Sequence, residues 1–270
     1  MHGRPSTPQF PLDAPQPSGA ITLNAEKMIT LKDSIDSLYA AFGDVPKPKK
    51  IDACPCCVED KNLCTLLTKP LRELTPDDLS SYASSAFLTA GDVPDYLYFL
   101  PRILDISATN DTWWPAPEVT GRAISNTVPR TWSPKHLTAI HDFLHSLIGS
   151  LLEREDSGSD INSWICAIGK MGLDTRPYLS QLEKSPAHVL AYYEENANRL
   201  TRRKLSNSFW EPPNDAYDQV VDWFGTEAVG DIIFGAYGVV LYYNSEGMPR
   251  NPQSPCDSSS PSEPGAGACI

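Results

Sequence analysis

The chain has 270 residues, of which 41% are hydrophobic and 21% are charged, and it carries a formal net charge of −12. Such a composition is typical of a folded globular protein with a substantial buried core. Because nucleic acids and anionic membrane surfaces attract basic proteins, the acidic total argues against both as partners and favours another protein, particularly one with a basic surface.

The two ends of the chain differ from the middle in composition. Residues 1–20 and 245–270 are rich in Pro, Ser and Gly, so we predict disordered segments on either side of a single helical domain over 21–244. No apolar signal core is visible near Met1, and the longest apolar run, 232–243, is too short for a membrane span. We therefore expect a cytoplasmic protein whose seven cysteines stay reduced.

Apolar residues recur at three- and four-residue steps through most of the domain, which predicts an all-α fold. The first helix is expected over 25–42. Thr75-Pro76-Asp77-Asp78 is a helix start signal, with a capping residue, a proline at the first position and a returning carboxylate. Asp92 is expected to cap the next helix, Pro94 to Ile106, which contains Pro101. Two helices joined so closely favour an antiparallel hairpin.

Residues 109–132 interrupt the helical pattern with prolines, a glycine and three tryptophans. We predict a long ordered loop here, and loops of this length in a compact domain are often functional. Two interpretations of the tryptophans remain open. Either they fix the loop onto the helices, or they form an interaction surface for a partner. The residues concerned are Trp113, Trp114 and Trp132.

The remainder of the domain again shows helical spacing. Further helices are predicted over 133–154, 160–171, 175–184, 185–205, 213–224 and 226–235. Only Val239 to Tyr243 resembles a strand, and one strand does not make a sheet. Helix pairs separated by Pro or Gly favour an irregular multi-helical bundle or α-solenoid-like helical hairpins.

Four cysteines lie within eleven residues: Cys54, Cys56, Cys57 and Cys64. Zinc takes four tetrahedral thiolate or imidazole ligands, and Cys54-x-x-Cys57 has the spacing of one half of a zinc knuckle. No second pair follows in the body of the chain, so Cys64 with a distant histidine, or the adjacent Cys56, would have to complete the site. We take all four cysteines as candidate ligands of a structural zinc. A redox pair and reduced cysteines with packing roles are the alternatives.

The cysteine run and the segments after it resemble a group of uncharacterised bacterial proteins that share a CPCC motif and a YFLPRIL motif. The matching residues are Cys54–Cys57, Lys69–Leu74, Asp78-Leu79 with Tyr82, Gly91-Asp92 and Tyr98–Leu104. This resemblance implies a bacterial origin and no particular reaction. The cysteine cluster alone is similar to small CPCC domains, and that similarity implies zinc binding.

A second candidate metal site lies in the helix predicted over 133–154. His141 and His145 are four residues apart, which places two imidazoles on neighbouring turns of one face. The segment resembles the His-Glu-x-x-His pattern of zinc proteases, with Asp142 in place of the glutamate. No third ligand is apparent, and both histidines lie in or beside the apolar face, where hydrogen-bonded packing is the alternative role.

No complete catalytic set is apparent in the sequence. We therefore expect a bacterial cytoplasmic protein that acts as a protein–protein interaction module, of the adaptor or immunity type, with a candidate structural zinc at the cysteine cluster. The alternative is a metal-dependent hydrolase that uses His141 and His145.

Overall fold

The computed structural model describes residues 29–245, with side chains as far as Tyr237. This part of the chain contains eleven α-helices and no strand, which confirms the predicted all-α fold. The predicted terminal segments lie outside the described residues, apart from Ser245. The helices are α1 (Leu31–Ala41), α2 (Asp60–Thr68), α3 (Pro76–Ser85), α4 (Val93–Thr109), α5 (Pro117–Asn126), α6 (Pro134–Leu151), α7 (Gly158–Lys170), α8 (Arg176–Leu182), α9 (Pro186–Leu200), α10 (Asp215–Trp223) and α11 (Glu227–Ser245).

Side-chain caps begin α3 and α4 where the sequence predicts them. The Thr75 hydroxyl accepts from the Asp78 N–H at 3.3 Å, and the Asp78 carboxylate accepts from the Thr75 N–H at 2.8 Å. The Asp92 carboxylate accepts from the Asp95 N–H at 3.0 Å. Each cap satisfies an N–H group that the first helical turn would otherwise leave without a partner.

The helices contact one another in two alternating rows. In one row α5 contacts α7, α7 contacts α9 and α9 contacts α11, whereas in the other α6 contacts α8 and α8 contacts α10. Contacts between alternate helices are typical of helical hairpins stacked in an α-solenoid. The first helix departs from chain order because α1 contacts both α4 and α6. The described part is therefore an irregular, solenoid-like array.

The two rows enclose a continuous apolar core. In α6 the buried apolar side chains follow the predicted helical spacing. Aromatic side chains fill the larger spaces: the rings of Tyr82 and Phe99 are 5.1 Å apart, and those of Phe143 and Trp164 are 6.2 Å apart. Burial of these rings supplies much of the hydrophobic stabilisation.

The prediction of a long loop over 109–132 is wrong. This segment contains α5, and Pro129–Thr131 form a turn of 3-10 helix. Pro117 occupies the first turn of α5, where the missing N–H costs nothing. Gly121 sits where α5 meets α7, because a Cβ there would lie 2.4 Å from the carbonyl oxygen of Ala167. The proline begins the helix and the glycine permits its packing, so neither residue interrupts it.

One further expectation from the sequence is corrected, and another lies partly outside the described residues. Val239 to Tyr243 is helical rather than strand-like, because α11 continues to Ser245. Within residues 29–245 there is no strand with which this segment could pair. The first described helix begins at Leu31, because the Thr30 hydroxyl caps it by accepting from the Asp33 N–H; the part of the predicted first helix before residue 29 lies outside the described residues.

The last helix ends one of the two rows and leaves part of its surface uncovered. Phe234 is 74% exposed and Tyr237 is 47% exposed, although the Tyr237 hydroxyl donates to Glu194 at 3.0 Å. Among the described helices, none combines the length and the apolar character that crossing a membrane requires.

Candidate metal centre

Cys54, Cys56 and Cys57 lie on a tight turn between two buried residues. Ile51 before the turn and Val58 after it are 4% and 1% exposed. The apolar pair anchors both ends of the turn in the core. Cys54 is half-buried, whereas Cys56 and Cys57 are exposed. The turn therefore places its sulfurs at or near the protein surface, while the residues that flank it are buried in the core.

Backbone hydrogen bonds pair this turn with the segment that joins α3 to α4. The Cys54 N–H donates to the Thr89 carbonyl at 2.8 Å, and the Gly91 N–H donates to the Asp52 carbonyl at 2.8 Å. Gly91 has φ +67°, and a Cβ there would lie 2.6 Å from the Tyr82 hydroxyl, so glycine is required. No spacing signal in the sequence relates Thr89 to the cysteines, which are far from it along the chain.

The ligand atoms of the three cysteines lie within 4.8 Å of one another. The Sγ–Sγ distance is 2.7 Å between Cys54 and Cys56 and 3.7 Å between Cys56 and Cys57. Thiolates around a tetrahedral ion at a metal–sulfur distance of about 2.3 Å are about 3.8 Å apart. The second pair already has that separation, and the first must open by about 1 Å. The group can therefore hold a metal ion.

Hydrogen bonding distinguishes the acidities of two of these thiols. The contact with the Cys56 sulfur lowers the pKa of Cys54, and the backbone N–H groups of Cys56 and Cys57 lower it further. The contacts with the Cys54 and Cys57 sulfurs raise the pKa of Cys56 to about 11. Since metals bind thiolates, an arriving ion would displace the Cys56 proton. The turn thus favours negative charge on Cys54 first.

Cys64, which we expected to complete the site, does not join this group. It is exposed on α2, which begins at Asp60. No fourth Cys, His, Asp or Glu within residues 29–245 joins the three sulfurs. Three of the four predicted cysteine ligands are therefore close together, and a ligand role for Cys64 stays a prediction.

The two histidines of α6 are engaged in hydrogen bonds within the helical array. The Nδ1 atom of His141 lies 2.7 Å from the Tyr178 hydroxyl, and that of His145 lies 3.0 Å from Oε1 of Gln181. Burial, followed by the nearby His145, lowers the pKa of His141. In the described part of the chain no third potential ligand groups with these imidazoles. Their contacts link α6 to α8, as the packing interpretation expects.

The three tryptophans occupy different environments. Trp132 is 9% exposed, its ring is 5.5 Å from that of Phe42, and its Nε1 donates to the Thr127 carbonyl at 3.3 Å. Trp113 is half-buried against the core, whereas Trp114 is 62% exposed. The structure therefore places Trp132 in the interior, which corrects its assignment to an interaction surface. Trp114 remains accessible to a partner.

The charged and aromatic side chains around Arg102 join neighbouring helices through hydrogen bonds and a cation–π contact. Arg102 donates through Nε to the Leu74 carbonyl at 2.8 Å and through Nη1 to Asp105 at 2.6 Å. Asp105 also accepts from the Tyr39 hydroxyl at 2.8 Å, and the Arg72 guanidinium lies 3.8 Å from the centre of the Tyr39 ring. These contacts fasten α1, α4 and the short 3-10 helix Leu71–Glu73 together.

Comparisons with protein-family models, curated proteins and solved structures found no match to this chain. Function is therefore inferred from the chemistry and geometry of the cysteine turn, since a helical array by itself hosts many unrelated activities.

Proposed function

We propose that this chain is a zinc-binding protein–protein interaction module, and that Cys54, Cys56 and Cys57 hold the ion. The observation that carries the proposal is the gathering of three sulfurs within 4.8 Å on a turn anchored in the core. Soft thiolate ligands select zinc and copper(I) over magnesium or calcium. Zinc is favoured because it is bound by cysteines in many structural sites.

The charge of the site favours recognition over hydrolysis. Three thiolates carry three negative charges, so the zinc site would have a net charge of about −1. Such an ion is a weak Lewis acid, because the sulfurs already donate the electron density that a bound water would otherwise supply. A fourth ligand from a partner, such as an imidazole or a thiolate, fits this open position better than a catalytic water.

Features beside the turn also favour a protein partner. Leu88 is 63% exposed on the segment that pairs with the turn, and Phe87 before it has φ +60°. A bulky residue rarely adopts this conformation, and such strain is found at functional sites. Stacked helices also present extended binding surfaces. An adaptor or immunity-type role in a bacterial cytoplasm agrees with these features, because free thiols persist there.

Metal loading tests the proposed site directly. Protein purified without chelators should carry about one zinc ion per chain, and cobalt(II) in its place should give the visible absorption of a tetrahedral thiolate site. Titration with imidazole should change that spectrum, because imidazole can enter the open fourth position. His141→Ala should leave metal content and spectrum unchanged. Loss of zinc in the His141→Ala variant would contradict the proposal and favour a hydrolase. Failure of the protein to bind cobalt would also contradict the proposal.

Dependence of partner binding on the ion tests the second half of the proposal. Zinc-loaded protein used as bait in an extract of its native host should retain a partner that the metal-free protein loses. The expected reason is that the partner supplies the fourth ligand. A Trp114→Ala variant distinguishes the cysteine turn from the surface around Trp114. We expect this variant to lose less partner binding than the metal-free protein does. Equal capture of the partner by the zinc-loaded and the metal-free protein would contradict a metal-dependent interaction.

A further inference from the structure

We propose that Cys54 and Cys56 form a disulfide when the protein meets a peroxide, and that this disulfide prevents metal binding. The disulfide itself depends only on the geometry of the turn, whereas its effect on metal rests on the proposed function. The turn would then be a modification site as well as a metal site. Oxidation and metal binding would exclude each other, because both use the same two sulfurs.

The arrangement of the sulfurs selects this pair. Sγ of Cys54 lies 2.7 Å from Sγ of Cys56, whereas a disulfide bond is about 2.05 Å long. The two sulfurs are therefore within about 0.7 Å of the bonded separation. The separation between Cys56 and Cys57 is larger, at 3.7 Å, and these two residues are adjacent in the chain. Cys64 lies outside the group on α2.

The exposure of the turn gives a peroxide access to this pair of sulfurs. Cys54 is half-buried and its neighbours Cys56 and Cys57 are exposed, so a small oxidant can reach the turn. The Cys56 thiol can donate its hydrogen bond to the Cys54 sulfur. A thiolate that is accessible and beside a second thiol is the arrangement found in redox-sensitive cysteines.

The reaction balances with hydrogen peroxide as the only oxidant. The thiolate of one cysteine of the pair attacks one peroxide oxygen, so that a sulfur–oxygen bond forms, the oxygen–oxygen bond breaks and hydroxide leaves, taking up the proton that this thiol had released. The sulfur of the other cysteine then attacks the oxidised sulfur, a sulfur–sulfur bond forms and the oxygen leaves as water with the proton of the second thiol. Two thiols are oxidised and one peroxide is reduced to two waters.

The oxidised turn would retain a single free thiol at Cys57. One thiolate cannot replace the three that hold zinc, so the ion would be released. In the opposite direction, bound zinc occupies the lone pairs that attack the peroxide and should protect the turn. Exposed disulfides are readily reduced by cellular thiols, so the modification would be reversible.

Mapping the oxidised residues in the unaltered protein tests the proposal. Metal-free, reduced protein is treated with hydrogen peroxide, free thiols are blocked with one alkylating reagent, and the disulfide is reduced and labelled with a second reagent. Mass spectrometry should find the second label on Cys54 and Cys56 and the first on Cys57 and Cys64. Zinc-loaded protein should react at least about tenfold more slowly, because a coordinated thiolate is a weaker nucleophile.

Variants give a matched control for this result. Cys54→Ser should abolish the disulfide label on Cys56, whereas Cys64→Ser, which removes an exposed cysteine outside the group, should leave the yield of the disulfide unchanged. The proposed Cys54–Cys56 disulfide would be contradicted if the second label were found on Cys64, or on Cys57 with Cys56. It would also be contradicted if no cysteine carried that label. If the disulfide forms but the reduced protein binds no zinc, only the proposed function fails. If zinc binds but peroxide yields no Cys54–Cys56 bond, only this inference fails.

Discussion

Replacing Cys54 with serine should weaken zinc binding at least about a hundredfold. Structural zinc sites with four ligands are worth about 10–16 kcal/mol, so one ligand contributes about 3 kcal/mol, and 1.4 kcal/mol corresponds to a factor of ten. A serine hydroxyl does not ionise near neutral pH and so cannot replace the thiolate. Competition with a chromogenic chelator measures the change in the dissociation constant.

Cys64→Ser is the matched control for this measurement. Cys64 is exposed like Cys56 and Cys57 and lies in the same part of the chain, but it does not belong to the sulfur group. Its replacement should leave the dissociation constant for zinc unchanged within a factor of about two. Equal losses of affinity in Cys54→Ser and Cys64→Ser would show that α2 contributes to the site after all, and the three-thiolate centre would then be wrong.

The Gly121→Ala variant should lower the free energy of unfolding by about 2 kcal/mol. A Cβ at Gly121 would lie 2.4 Å from the oxygen and 3.0 Å from the Cα of Ala167. Both atoms belong to the backbone of α7, so no side-chain rotation can relieve the clash. Alanine gains about 1 kcal/mol in helix propensity, but this gain is smaller than the cost of separating two packed helices. Urea denaturation followed by circular dichroism measures the difference.

Gly235→Ala provides the corresponding control in α11. A Cβ at Gly235 meets no atom within 4 Å, so only helix propensity should change, and stability should rise by about 0.5–1 kcal/mol. The two substitutions are chemically identical and should therefore act in opposite directions. If Gly121→Ala also stabilised the protein, the close approach of α5 to α7 would be refuted.

Helices with clear end signals were the most predictable part of the fold. The caps at Thr75 and Asp92 and the apolar face of α6 are local properties, and each follows from residues a few positions apart. The sequence pattern does not predict α5, for the opposite reason. Pro117 and Gly121 are residue types that break helices in most settings, and only the contact with Ala167 explains why a glycine is needed inside this one.

The candidate site was predictable in its donors but not in their arrangement. Close spacing in the chain indicates that Cys54, Cys56 and Cys57 can meet, because a short turn brings such residues together. The exclusion of Cys64 depends on where α2 begins. The hydrogen bond from Cys54 to Thr89 joins distant parts of the chain, so it could not be derived from local spacing. Likewise, Tyr178 and Gln181 engage the histidines across two helices.

The anchoring of the cysteine turn by Ile51 and Val58 has a consequence for how the protein responds to metal supply. Small zinc domains are unfolded without their ion, because metal binding supplies the stabilisation that a hydrophobic core gives a larger protein. Here the turn is anchored in an extensive apolar core, so the ligands of the proposed zinc site are close together before an ion binds and less conformational entropy is lost on capture. We therefore expect zinc starvation to change the chemistry of one small area of the surface and to leave the helical array folded.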